Sequence, residues 1–128
     1  MDASEILKRY AAGERDFSGA NLACVDLTGA DLSGVNLSGA NLTRSFLHSA
    51  NLSGADLSRT NLEYTGFRNA KLVGANLEEA NLEYGTLRNA NLEQANLLNA
   101  KLTPNISGAT FCNTTMPDGS IRNDNCEK

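Results

Sequence analysis

The chain has 128 residues, enough for one domain, with 5% aromatic residues and no tryptophan. Its formal net charge of −4 argues against a nucleic-acid binder that works by neutralising phosphates. No apolar run approaches the roughly 18 residues that a membrane-spanning helix needs, so no span is expected.

The N-terminus MDASEILKRY has no apolar signal-peptide core. That points to the cytoplasm, with the periplasm or thylakoid lumen as alternatives if a leader has been removed. Residues 2–12 predict a helix: Asp2 with Glu5 three later resembles a capping box, and Gly13 is a natural stop. Ala3, Ile6, Leu7, Tyr10 and Ala11 form one apolar stripe. Such a stripe could bind a partner, but it suits a cover over whatever follows better.

From Asp16 to Thr103 an apolar residue returns at every fifth position, from Phe17 through Leu22 and Leu27 to Leu102. Sixteen of these eighteen sites are Leu and two are Phe; Asp or Asn precedes thirteen, and Ala stands two before eleven. A period of five fits neither the 3.6 of a helix nor the 2 of a half-buried strand. It requires a short extended piece followed by a fixed turn, repeated as in a solenoid. The central residue and the small one two before it point inward, and the Asp or Asn between them outward. A second period sets the coil. SFLHS at 45–49, TGFRN at 65–69 and GTLRN at 85–89 recur every twenty residues, as does Glu-Tyr at 63–64 and 83–84. Four pentapeptides therefore make one coil, and residues twenty apart stack about 4.8 Å apart.

These A-(D/N)-L-x-x phrases resemble the pentapeptide repeat family, especially abundant in cyanobacteria. The resemblance implies an all-β fold, a right-handed quadrilateral β-helix, here with a short N-terminal α-helical cap. The chain then divides into a cap over residues 1–14, a β-helix over 15–103 and a register-shifted last coil with C-terminal cap over 104–128. Both ends being covered, a monomer is expected. The family carries no catalytic motif to transfer.

Six glycines (Gly19, Gly29, Gly34, Gly39, Gly54 and Gly74) share the slot two after the centre, but so do Arg44, Arg59, Tyr64 and Tyr84. The corner is therefore not expected to demand positive φ everywhere. Asn21, Asn41, Asn61 and Asn81 fall in one column and could bond as an amide ladder. Beyond Leu102 the fivefold spacing resumes one residue out of register at Ile106, Phe111, Met116 and Ile121. That predicts one further coil, distorted at Pro104 and at the turn Pro117-Asp118-Gly119.

The sequence has one histidine, His48, no cluster of ligands at metal spacing and no nucleophile beside a plausible base. No enzyme, cofactor or metal is expected. The third side, counted from Phe17, departs from consensus: Phe46, Gly66 and Thr86 stand where Asp or Asn is usual, followed by His48, Arg68 and Arg88 in one column. The adjoining corner carries Glu63, Tyr64, Glu83 and Tyr84. Phe46, His48, Glu63, Tyr64, Arg68, Glu83, Tyr84 and Arg88 are thus the candidate interaction face, since Tyr and Arg dominate binding hot spots. The bland alternative is a self-satisfied surface in which the glutamates offset the arginines.

The tail FCNTTMPDGS…C resembles that of other cyanobacterial family members, some of them exported, which favours a Cys112–Cys126 disulfide. The lack of an apolar signal-peptide core in MDASEILKRY favours free thiols instead. The expectation is the bridge, with Cys24 unpaired in an exposed slot. For function the leading expectation is a non-catalytic structural module that binds an unidentified protein. The alternative is a DNA mimic acting on DNA gyrase or another topoisomerase, as some longer family members do. The length and the Asn in place of carboxylate weigh against it.

Overall fold

The computed structural model describes residues 1–126. Helix α1 spans Ala3–Ala11, begun by Asp2, whose carboxylate accepts the Glu5 N–H at 2.8 Å. It ends where Gly13 turns left-handed at φ 100° and the Gly13 and Glu14 N–H groups return to the Tyr10 and Arg9 carbonyls. Ile6 is fully buried in the core, and the Tyr10 hydroxyl donates to the Ser33 carbonyl at 2.7 Å.

From Asp16 the chain winds in coils of twenty residues. Parallel bridges join Asp16 to Asn36, Asn21 to Asn41 and so on, each twenty apart, up to Asn81 with Lys101. Each central N–H from Phe17 to Leu82 donates to the carbonyl nineteen residues on, as Phe17 does to Asn36 at 2.8 Å. The corner N–H groups from Gly19 to Glu79 do the same, as Gly19 does to Ser38 at 2.9 Å. The core is a stacked column in which the central residues from Phe17 to Leu97 are all buried, flanked by Ala, Val, Ser and Thr. Inward hydroxyls are paired: Ser45 and Thr65 both donate to the Leu42 carbonyl, at 2.7 and 2.9 Å.

The thirteen Asp and Asn residues before the centre have a local task. Each side-chain Oδ1 accepts the backbone N–H two residues on, at 3.0–3.3 Å, and so braces the turn that follows. The expected Asn ladder forms only weakly in its own column, from Asn41 to Asn21 at 3.5 Å. The reason is competition: Oδ1 is already committed to the nearer backbone donor.

The corner differs from expectation. Every slot from Gly19 to Asn99 has φ between 55° and 73°, including Arg44, Arg59, Tyr64 and Tyr84. Positive φ at this position, with a bond such as Ala20 N–H to the Phe17 carbonyl at 3.1 Å, fits a type II turn. Inter-coil pairing on both flanks leaves the corner no other geometry, so non-glycine residues are held in it. The next slot holds Pro104, whose ring fixes φ near −65° and bars the left-handed region. There the register breaks: the following bridges, Asn91 to Thr110 and Asn96 to Thr115, are nineteen apart.

Phe111 is buried in that last coil and Met116 half-buried, but Ile121 is 57% exposed, not inward as its spacing suggested. Asp118 Oδ1 accepts from both the N–H and the hydroxyl of Ser120, and Gly119 takes φ 87°. This turn reverses the chain, so that β1 (Thr114–Thr115) pairs antiparallel with β2 (Ile121–Arg122). Residues 127–128 of the expected cap lie outside the described residues.

Candidate interaction face

On the third side the missing Asp or Asn leaves the turn without its usual brace, and two substitutes appear. Thr86 Oγ1 accepts the Arg88 N–H at 3.2 Å. Gly66 has no side chain to accept, and His48 Nδ1 of the preceding coil takes the Arg68 N–H at 3.1 Å instead. The exchange depends on glycine: a Cβ at Gly66 would stand 2.2 Å from the His48 ring. His48 therefore serves the fold, and Phe46 is left 50% exposed with its ring centroid 6.0 Å from the imidazole.

Around the corner, Tyr64 and Tyr84 stack with ring centroids 5.1 Å apart, 49% and 64% exposed. The Arg44 guanidinium lies 4.8 Å from the Tyr64 centroid. Arg44 was missed in the sequence, although its place twenty residues before Tyr64 puts it in the same column. No contact ion pair joins Arg68 or Arg88 to Glu63 or Glu83 among the described residues. Among the described residues, ion pairs within 4.0 Å join Arg9 to Glu5 and Glu14, and Arg122 to Asp124, but none reaches Arg68 or Arg88. Glu63 and Glu83 precede the corner and the arginines follow it, which separates the two pairs.

The eight candidates surround one shallow depression only in part. It holds about 350 Å³ and is lined by Phe46, His48, Tyr64, Arg68, Tyr84 and Asn105 among others. Glu83 instead lines an adjoining hollow of about 370 Å³ with Leu102 and Pro104, and Tyr84 borders both. The floor is bare backbone where Gly85 lies: a Cβ there would meet the Thr65 carbonyl oxygen at 2.4 Å.

The carboxyls that depart from their ordinary range are held below it. Hydrogen bonds from Ser18, Thr28 and Ser120 lower Asp16, Asp26 and Asp118, and the Arg122 side chain lowers Asp124. Of these four, Asp26 stands on the third side, in the coil before Phe46, and the other three lie elsewhere. Among the described residues no group of three His, Cys, Asp or Glu could hold a metal ion. Among the described residues no helix is long and apolar enough to cross a membrane. Cys112 and Cys126 form a disulfide, and Cys24 is free and exposed.

Residues 20–97 match the family model described as the pentapeptide repeat region. A pentapeptide repeat protein from the Arabidopsis thaliana thylakoid lumen superposes with a TM-score of 0.69 at 29% identity, covering 77% of this chain and 70% of that one. A pentapeptide repeat protein from Nostoc PCC 7120 superposes with a TM-score of 0.52 at 33% identity, covering 85% of this chain and 95% of that one. No curated protein matches the chain. The matched repeat region covers more than half of the residues and coincides with the twenty-residue coils, so the chain belongs to the pentapeptide repeat family.

Proposed function

We propose that this is a non-catalytic interaction module that binds a protein partner through its third side. The rod over residues 15–103 is a right-handed quadrilateral β-helix, α1 within residues 1–14 covers its first coil, and the described residues from 104 onward close the other end. One observation carries the reading. Phe46, Tyr64 and Tyr84 are among the few exposed large apolar side chains, and they gather beside Arg68 in one depression, with exposed Arg88 one coil further on; among the described residues no ion pair within 4.0 Å reaches either arginine. A bridged Cys112–Cys126 pair suits an oxidising compartment such as the periplasm or thylakoid lumen better than a reducing cytoplasm. The DNA-mimic alternative is disfavoured, because no column carries continuous carboxylates: Asn21, Asn41, Asn61 and Asn81 fill one, and Arg68 and Arg88 stand on the third side.

The test is capture from native lysate by the wild-type chain and by the double variant Arg68→Glu, Arg88→Glu. Both arginines are exposed, so the melting temperature is expected to move only slightly. Loss of a specific partner at unchanged stability supports the face, and unchanged capture refutes it.

A further inference from the structure

From Phe17 to Leu97 the central N–H groups donate to carbonyls of the next coil, and from Gly19 to Glu79 the corner N–H groups do too, as Phe17 does to Asn36 and Gly19 to Ser38. The last coil has no successor. Its central residue Phe111 nevertheless donates to Asn125 Oδ1, and its corner residue Asn113 to Asn123 Oδ1, each at 2.7 Å. The Asn125 amide also donates to the Ala109 carbonyl at 2.8 Å. Two side-chain amides thus stand where backbone carbonyls of a further coil would be, on a tail that runs in the opposite direction. This covers a sheet edge that would otherwise be open to strand addition.

Little apolar packing holds the tail there. Residues 118–121 and 123–126 are exposed, and Arg122 reaches inward only to lay its guanidinium 4.2 Å from the Phe111 ring centroid. The covalent fastening is Cys126, exposed at the end of the tail, bonded to Cys112, which is 8% exposed beside Phe111. We propose that this disulfide is a redox latch on the C-terminal edge, controlling whether the Phe111 and Asn113 donors are covered. A dithiol reductant opens it. One of its thiolates attacks the accessible Cys126 Sγ, and Cys112 leaves as a thiolate that takes a proton from water. The second thiol of the reductant then displaces Cys126 as a thiol and becomes part of the reductant's own disulfide. The chain gains two electrons and two protons, and residues 117–126 are left attached through the hairpin, the two Asn side chains and the Arg122 guanidinium on the Phe111 ring.

Residue-resolved amide hydrogen exchange tests this on the oxidised chain, the chain reduced with dithiothreitol, and the variant Cys126→Ser. Reduction and the variant should each speed exchange at Phe111 and Asn113 by at least about tenfold, while Leu62 and Leu82 in the middle of the stack stay protected. Unchanged exchange at Phe111 and Asn113 would show that the tail docks without the bridge, and overturns the latch. Loss of protection at Leu62 and Leu82 as well would make the bridge a staple for the whole rod, and also overturns it.

Discussion

The left-handed corner makes a measurable claim about single residues. Gly54 sits at φ 70°, and a Cβ added there would find nothing within 4 Å. Replacing it with Ala therefore changes backbone energy and nothing else in the folded state. An L-residue in this region costs about 1–2 kcal/mol, and Ala recovers about 0.4–1 kcal/mol by restricting the unfolded chain. Gly54→Ala should thus destabilise by about 1 kcal/mol. The reverse substitution at an equivalent corner should do the opposite: Arg59, at φ 55° and exposed, should stabilise by up to about 1 kcal/mol when replaced by Gly. Urea melts followed by circular dichroism would resolve both as shifts in midpoint at constant slope. A neutral Gly54→Ala together with a destabilising Arg59→Gly would refute the claim that the corner imposes its conformation on every coil.

Leu62→Ala, in a fully buried central position, should cost about 2–5 kcal/mol because coil pairing prevents the cavity from collapsing, whereas Ser53→Ala should cost well under about 1 kcal/mol. Equal urea midpoints would contradict the inward column. Gly85→Ala should destabilise more than Gly66→Ala, since the first Cβ meets the Thr65 backbone and the second only a rotatable His48 ring; the opposite order in melts would dismiss the bare floor. Asp118 is held below its ordinary pKa by Ser120, so its contribution to stability is present above the unfolded pKa and lost as pH falls through the folded one. Ser120→Ala should raise the Asp118 pKa in an NMR titration, and an unmoved value would discount the turn as its cause.

The period of five and the superperiod of twenty were legible because a solenoid repeats its environment, so one local pattern, read eighteen times, sets the inward column and the coil size. The same repetition placed Arg68 above His48, and Tyr84 above Tyr64, before any coordinates. What local pattern could not reveal was which conformation pairing would enforce. Arg44, Arg59, Tyr64 and Tyr84 argued from intrinsic preference against a left-handed corner, yet all four adopt it, and at Arg44, Arg59 and Tyr64 a hydrogen bond to the next coil holds them there. That same demand explains the slip at Pro104, the one corner residue unable to comply. Ile121 kept the fivefold spacing and still lies outside, because the Asp118–Ser120 turn sends the chain back along its own edge. The role of His48 as a stand-in for the missing side chain at Gly66, like that of Asn123 and Asn125 for a missing coil, depends on contacts between residues 10 to 20 apart along the chain. Composition and period determine where a residue stands in such a rod; only the stacked coils decide which backbone groups are left for its side chain to satisfy.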